Sequence, residues 1–322
     1  MGIALQTMTN ELTHVFLLSV GAFLLAMFLT PIYTFFAYRY RFWKRQRSES
    51  TDGKKLKVFA KFQAAKLRRN IPTMAGVIGV ISIFVVTIFF NLDRAQTWLP
   101  LAALVGGGIV GLIDDIINLR GLGGGAAGLR SPVKFALITL IGVALGWFFF
   151  AKLGVASFHV PFVGEVNIGW LIVPLFAFAV VATGNAVNIS DGMDGLAGGL
   201  LGISFGAFGV IALLQQHVIL AGFCFTVVGV LLSYLWFNIY PARFFMGDVG
   251  SFAYGACLGV VAMLTDSLLL LPVIGLLFVI EAGSSLTQIV SKKLFKRKIF
   301  LSAPIHHHLE AIGWPETKVT MR

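Results

Sequence analysis

Apolar stretches long enough to cross a membrane recur along the whole chain, and they constrain its fold more than any other feature. A helix needs about 20 apolar residues to cross the hydrocarbon core of a bilayer. Of the 322 residues, 57% are hydrophobic and only 12% are charged, whereas a soluble domain carries about 25% charged residues. The only cysteines, Cys224 and Cys257, lie inside apolar runs, which excludes a disulfide-stapled secreted module. The sequence therefore predicts an all-α, polytopic transmembrane helix bundle.

About nine apolar runs are predicted to cross the membrane as helices. They cover residues 15–38, 72–90, 99–113, 133–152, 170–188, 196–214, 218–237, 251–266 and 267–291, of which the third and eighth are short. The first run is too long for the core of a signal peptide and lacks a small-residue cleavage site, so it is expected to remain as an anchor. Residues 159–169 alternate apolar and polar side chains around a glycine, which predicts a short hairpin. Residues 1–322 are expected to form one integral-membrane domain.

The distribution of basic residues predicts the orientation of this bundle. Residues 39–69 contain twelve of the 25 Lys and Arg residues, and the positive-inside rule places such a loop, here residues 39–71, in the cytoplasm. Alternation of the spans then puts the N-terminus outside and residues 292–322, which carry a histidine motif, in the cytoplasm. A basic run also suits nucleic acid, but its position beside a long apolar segment favours topology and membrane lipid over nucleic-acid binding.

Carboxylates are concentrated at the predicted cytoplasmic ends of the spans. Eight of the fourteen acidic residues lie there: Asp114, Asp115, Asp191, Asp194, Asp248, Glu281, Glu310 and Glu316. A carboxylate at membrane depth is costly, so each needs a cationic partner, a metal ion or water. The pair of adjacent aspartates ends the third span, where neighbouring side chains point about 100° apart and can face a metal and a reactant. A solvated helix end is an equal alternative for that pair taken alone.

A second polar segment follows the fifth predicted span. Asn185, Asn188, Asp191 and Asp194 are spaced three residues apart, and this spacing gives a winding polar ridge if the segment is helical. A capped turn is the structural alternative, but capping accounts for only one or two of the four side chains. Farther along the chain, Asp248 lies in a glycine-flanked turn preceded by aromatic residues that could stack on a base.

Three consecutive histidines, His306, His307 and His308, lie near the end of the chain. Three successive imidazoles cannot all face one metal ion from a regular helix, which disfavours a zinc site. They suit an anionic phosphate or carboxylate, or a proton relay. Together with the aspartates they predict a magnesium site at the inner membrane face, because Mg²⁺ takes one or two carboxylates and completes its shell with substrate phosphates and water. Phosphoryl transfer between a lipid-borne and a cytosolic reactant fits such a site.

At these residues the sequence resembles the polyprenyl-phosphate N-acetylhexosamine-1-phosphate transferases. The matching motifs occur in the family's order at residues 71–76, 114–115, 185–195, 245–251, 303–310 and 313–314. The histidine motif resembles the muramoyl-pentapeptide branch. The resemblance implies transfer of phospho-MurNAc-pentapeptide from UDP-MurNAc-pentapeptide to undecaprenyl phosphate, which yields lipid I and UMP and requires Mg²⁺. It also implies a homodimer in the bacterial cytoplasmic (inner) membrane, with the active site facing the cytoplasm.

The resemblance assigns roles to individual residues. Asp248 corresponds to the principal metal ligand, and Asp114 and Asp115 correspond to further metal ligands that position or deprotonate the lipid phosphate. His307 is implied as a fourth catalytic residue. The implied substrate-binding residues are Arg68, Thr73, Lys134, Asn185, Asn188, Asp191, Asp194, Phe245, Gln288, His306 and His308, with the ring of Phe245 stacking on uracil.

The sequence departs from the family pattern at several positions. Arg68 stands where the family has lysine, Ile71 replaces a threonine, and Asn118 replaces a lysine after the aspartate pair. Arginine binds phosphate well but transfers protons poorly, so an acid–base role at that position is not expected. The family continues into a tenth span, whereas this sequence stops at Arg322, so the bundle is expected to lack that helix. The glycine-rich residues 121–128 are expected to form a mobile loop.

Three alternatives remain open. The same chemistry could act on another UDP-N-acetylhexosamine, such as UDP-GlcNAc. An ion-coupled transporter would need acids near mid-membrane on several spans, and only Glu281 qualifies. A catalytically inactive scaffold is compatible with Arg68 and Asn118.

The last span is predicted to bend at Pro272 and Gly275. The resemblance implies a polyprenyl groove at this bend, and pairing of Glu281 with a polar neighbour is an equal alternative.

Overall fold

A computed structural model describes residues 2–43, 70–121 and 128–322. Most of the basic loop 39–71, including Arg68, and most of the glycine-rich segment 121–128 lie outside the described residues. The longer helices are α1 (Gly2–Arg39), α2 (Gly76–Phe90), α3 (Trp98–Arg120), α4 (Ser131–Leu153), α5 (Ile172–Ser190), α6 (Leu196–Leu214), α7 (Val218–Asn238) and α8 (Gly247–Leu264). They are followed by α9 (Leu271–Ile274), α10 (Leu276–Phe295), α11 (Ile305–Ala311) and α12 (Glu316–Met321).

The described residues form the predicted polytopic helix bundle. Seven helices are long and apolar enough to cross a membrane, and α9 with α10 raises the number to eight if the bent pair is one span. The chain is therefore a multi-pass membrane protein. Its helices carry many exposed apolar side chains, such as Phe28, Trp147 and Phe178. This exposure suits contact with lipid, because a bilayer replaces water around the helices.

Two predicted span boundaries were wrong for physical reasons. The second predicted span becomes the 15-residue helix α2, which is shorter than the seven spanning helices. It begins at Gly76 rather than residue 72, because the backbone of residues 72–76 pairs with residues 245 and 246 instead of forming a helical turn. The third span is not short, since α3 continues for 23 residues to Arg120. Asp114 and Asp115 therefore lie inside a helix rather than at its end. Both are buried, so their charges need hydrogen bonds or a nearby cation to offset the cost of desolvation.

Helix α8 is the central element of the bundle. All of its residues from Gly247 to Met263 are buried, and it packs against α3 on one side and α5 on another. Glycines permit this close approach: a Cβ atom built on Gly255 would lie 2.7 Å from Cα of Gly184, and one on Gly259 would lie 2.7 Å from Oγ1 of Thr183. Small residues at such positions let helix backbones approach closely in membranes.

Two local predictions are also confirmed. The segment after α4 forms an antiparallel hairpin of β1 (Ser157–Val160) and β2 (Gly164–Asn167). Helices α9 and α10 meet at an angle of 82° around Gly275, close to Pro272. Proline and glycine are common causes of such kinks because each weakens the regular helical hydrogen-bond ladder.

Candidate active site

The candidate site begins with an unusually close contact between α3 and α8. A Cβ atom at Gly111 would lie 2.1 Å from the carbonyl oxygen of Asp248, and one at Gly107 would lie 2.5 Å from the carbonyl oxygen of Phe252. No larger residue fits at these two positions without separating the helices. The glycines of α3 therefore bring its aspartate pair beside the first turn of α8, where Asp248 lies.

Lys134 joins two of the three clustered carboxylates. Its Nζ atom lies 3.0 Å from Oδ2 of Asp114 and 2.9 Å from Oδ2 of Asp248. Asp114, Asp115 and Asp248 are 1%, 1% and 6% exposed, so their charges are partly removed from solvent. Burial of several like charges is unfavourable unless a cation compensates. The lysine supplies one positive charge against three carboxylates, so the cluster can accommodate a further cation.

Backbone amides hold the carboxylates in position. Oδ1 of Asp114 accepts a hydrogen bond from the N–H of Leu129 at 2.5 Å, and Oδ2 of Asp115 accepts one from the N–H of Val249 at 3.1 Å. Asp248 lies in the first turn of α8, where the helix dipole favours a negative charge. These contacts orient the oxygen atoms before any ligand binds.

The oxygen-rich composition of this cluster fits a magnesium ion. Carboxylates are hard oxygen ligands, and Mg²⁺ prefers one or two of them with phosphate and water. The hydroxyl of Thr73 is buried and has no hydrogen-bond partner among the residues that the structure describes. Gly247, with φ of +76°, lies between this hydroxyl and Asp115. A Cβ atom built on Gly247 would lie 2.6 Å from Oδ2 of Asp115 and 2.9 Å from Oγ1 of Thr73. A side chain at this glycine would fill the space between them.

Two loops that carry predicted site residues are held together by backbone hydrogen bonds. Phe245 donates its N–H to the carbonyl of Pro72 at 2.8 Å and accepts from the N–H of Ala75 at 3.0 Å. The hydroxyl of Tyr33 donates to the carbonyl of Thr73. The ring of Phe245 is half-buried, and its loop leads directly into Asp248. This pairing explains how Thr73 comes close to Asp115 and Asp248, although it is distant from both in the sequence.

The predicted polar ridge is only half helical. Helix α5 carries Asn185 and Asn188 but ends at Ser190, so the ridge does not continue through Asp191 and Asp194. Nδ2 of Asn188 donates to Oγ of Ser251 at 2.8 Å. Nδ2 of Asn185 instead donates to the carbonyl of Val181, within the same helix, at 2.8 Å. The Asn188 contact connects α5 to the first turn of α8, next to the carboxylate cluster.

Asp194 lies in the turn after α5 and holds a neighbouring loop. It is 1% exposed, its Oδ2 accepts from the N–H of Ala242 at 3.0 Å, and its own N–H donates to Oε1 of Glu316 at 2.7 Å. Asn238 has a related role that was not predicted from the sequence. Its Oδ1 accepts from the N–H of Gly195 and its Nδ2 donates to the carbonyl of Phe244, each at 2.9 Å. The sequence shows only an asparagine at the end of an apolar run, which fits an ordinary polar helix end equally well. The structure thus gives Asp194 a bracing role.

The three histidines have different partners. His306 is buried, and its Nδ1 lies 2.7 Å from Oε2 of Glu281. Its Nε2 faces Gly192, where a Cβ atom would lie only 2.4 Å away. His307 pairs with Glu310, their Nδ1 and Oε2 atoms being 2.8 Å apart. His306 therefore brings the histidine helix α11 against the turn that contains Asp191 and Asp194.

The remaining predicted residues fold the loop between α10 and α11. Oε1 of Gln288 accepts from the N–H groups of Ile299 and Phe300 at 3.0 and 3.1 Å, and its Nε2 donates to the carbonyl of Phe300 at 2.8 Å. Nδ1 of His308 accepts from the N–H of Leu301 at 3.2 Å. Both side chains shape this loop in the structure. Of the two alternatives for Glu281, the structure contains the polar pairing, with His306 as the partner.

Asp114, Asp115, Asp248, Lys134 and Thr73 therefore form one group, called here the carboxylate cluster. Asn188 adjoins it through Ser251. A second group contains the turn with Asp191 and Asp194 together with the pair formed by His306 and Glu281. Carboxylates, a lysine and histidines at one end of a membrane bundle form an arrangement suited to a phosphate-bearing ligand.

Comparison with known proteins identifies the family. A family model described as glycosyl transferase family 4 matches residues 97–266, just over half of the chain. A phospho-N-acetylmuramoyl-pentapeptide-transferase from Chloroflexus aggregans is 37% identical over 336 aligned positions, covering 100% of this chain and 89% of the relative. Proteins with the same name from Geobacillus thermodenitrificans and Clostridium perfringens are 36% and 34% identical, each covering 93% of this chain and 90% and 91% of the relative. The chain belongs to glycosyl transferase family 4 and, within it, to the phospho-N-acetylmuramoyl-pentapeptide-transferases.

Proposed function

We propose that this chain is a phospho-N-acetylmuramoyl-pentapeptide-transferase of peptidoglycan synthesis. It transfers phospho-MurNAc-pentapeptide from UDP-MurNAc-pentapeptide to undecaprenyl phosphate and forms lipid I and UMP. The observation that carries the proposal is the position of Lys134, whose Nζ atom lies 3.0 Å from Asp114 and 2.9 Å from Asp248. Asp115 lies beside them, bonded to the first turn of α8 through Val249, and the similarity of the chain to such enzymes extends over its whole length. The site faces the cytoplasm in this proposal, and the protein resides in the bacterial inner membrane as a homodimer.

The proposed reaction exchanges one phosphorus–oxygen bond for another. An oxygen of the lipid phosphate attacks the sugar-bound phosphorus of UDP-MurNAc-pentapeptide, and the bond from that phosphorus to the UMP oxygen breaks. Lys134 attracts the phosphates, while Asp114 orients the lipid phosphate or accepts its proton. The diphosphate is held between the carboxylate cluster and His307, and uracil stacks on Phe245. Asn185, Asn188, Asp191 and the basic residue Arg68 complete the proposed substrate contacts.

Asp248, Asp114 and Asp115 are the proposed ligands of Mg²⁺, which when bound neutralises charge on the transferring phosphates. Chelation of divalent ions with EDTA should lower UMP release by at least about 100-fold, since a metal contributes several kcal/mol to such a transition state. Readdition of Mg²⁺ should restore the rate. The measurement is UMP formation in detergent with both substrates present. An undiminished rate in EDTA would remove the metal from the proposal.

The sugar specificity separates the proposed function from its nearest alternative. With undecaprenyl phosphate as acceptor, UDP-MurNAc-pentapeptide should support UMP release and UDP-GlcNAc should not. Equal or faster release from UDP-GlcNAc would assign the chain to the other branch of the wider family. Absence of release from both, in a sample that remains folded, would identify an inactive scaffold. A transporter is not favoured, because it would need acids near mid-membrane on several spans, whereas the clustered carboxylates lie in the last two turns of α3 and the first turn of α8.

A further inference from the structure

An apolar cavity of about 760 Å³ lies between the end of α1 and the end of α7, and no residue of the carboxylate cluster lines it. Its lining includes Thr30, Thr34, Phe35, Tyr38 and Phe237, together with Arg39 and Arg243. Phe35 and Tyr38 are 67% and 51% exposed, so the cavity opens toward the surroundings of the bundle. None of its lining residues belongs to the proposed substrate contacts.

Aromatic residues indicate the depth of this cavity in the membrane. Exposed Tyr38 and Tyr40 lie at the end of α1, and exposed Trp236 and Tyr240 lie at the end of α7. Tyrosine and tryptophan are enriched at the boundary between hydrocarbon and headgroups. The end of the cavity that holds the arginines therefore lies at headgroup depth, and its apolar part extends into the hydrocarbon region.

The charges at this end favour an anionic headgroup. Arg39 lies in the last turn of α1, and Arg243 lies with its Cζ atom 6.0 Å from the ring centre of Phe237. No Asp or Glu is among the described residues that line the cavity. Two guanidinium groups without a neighbouring carboxylate attract a phosphate diester, which arginine binds in a forked geometry.

We propose that this cavity binds one anionic glycerophospholipid, with an acyl chain against Phe35 and Phe237 and the phosphate between Arg39 and Arg243. Such a lipid adjoins the loop that positions the site, because Arg243 directly precedes Phe244. The ring of Phe244 packs against Tyr33 with centroids 5.9 Å apart, and Tyr33 holds the carbonyl of Thr73. The proposal concerns lipid binding alone and stands independently of the transferase activity.

Native mass spectrometry of the full chain tests this site. The protein in neutral detergent receives equal amounts of phosphatidylglycerol and phosphatidylcholine with identical acyl chains. One phosphatidylglycerol per chain should be retained with a preference of about 25-fold, since each cation near an anionic surface contributes a factor of about five. The double variant Arg39→Gln/Arg243→Gln should lose that preference. The matched variant Lys293→Gln/Lys298→Gln removes the same charge from the last turn of α10 and the loop that follows it, and should keep the preference.

A second variant tests the apolar part of the cavity without changing its charge. Thr34→Trp fills the space beside Phe35 and should abolish retention of phosphatidylglycerol while thermal unfolding still shows a folded chain. Equal retention by this variant and the parent would overturn the proposal. Equal binding of the two lipids by the parent would also overturn it, as would a lipid-free dimer whose second copy covers the cavity.

Discussion

The Asp248→Asn variant should release UMP at least about 1,000-fold more slowly than the parent protein. The substitution preserves the size of the side chain and leaves an oxygen that can still accept from Lys134, which lies 2.9 Å from Oδ2 in the parent. It removes one negative charge from the cluster. Preorganised electrostatic groups of this kind typically contribute factors of 100 to 1,000, and loss of a metal ligand adds to that loss. Asp248 is therefore expected to be the most sensitive residue of the site.

Asp266 provides a matched control for this experiment. It lies just beyond the other end of α8 and accepts from the N–H of His159 at 2.8 Å. Asp266→Asn makes the same chemical change far from the carboxylate cluster and should retain parental turnover. UMP release and thermal unfolding should be measured for both variants. Parental turnover by Asp248→Asn would refute the proposed metal ligand, whereas an unfolded sample would show that the carboxylate is needed for folding.

The membrane architecture could be predicted because its main cause is local. Apolar runs near 20 residues specify spanning helices wherever they occur, and Pro272 with Gly275 marked the bend of the last span. The family of the chain was also recognisable, since its motifs occur in order. The ends of α2 and α3 could not be predicted in the same way. Pairing of Pro72 with Phe245 and burial of Asp114 depend on segments far apart in the sequence.

The same distinction applies within the candidate site. The three aspartates and Lys134 were selected by residue type and motif, and the structure brings them into one cluster. Gln288 was selected by the same reasoning, but its amide folds the loop at Phe300. Asn238 was missed, because nothing in its apolar surroundings distinguishes a buried brace from a polar helix end. Side-chain partners are set by tertiary packing, so sequence spacing could identify the chemistry but not each contact.

A single methyl group at Gly111 should impair both folding and activity. A Cβ atom there would lie 2.1 Å from the carbonyl oxygen of Asp248 and 2.5 Å from Cα of Val249. These are backbone atoms, so the clash cannot be relieved by rotating a side chain, and α3 must move away from α8. Overpacking of this kind costs about 1–3 kcal/mol, and a displacement of about 1 Å between catalytic groups can lower a rate by about 100-fold. Gly111→Ala should therefore unfold at a lower temperature and release UMP about 100-fold more slowly.

Gly108 on the same helix supplies the control, because a Cβ atom there would lie 3.4 Å from the nearest atom, Cγ2 of Val80. That distance is an ordinary van der Waals contact, so Gly108→Ala makes the same chemical change without moving the helices. It should unfold near the parental temperature and keep parental turnover. If Gly111→Ala matched Gly108→Ala in both measurements, the close contact between α3 and α8 would not determine the position of Asp114 and Asp115. If both variants lost activity equally, the loss would reflect general sensitivity of α3 rather than this contact.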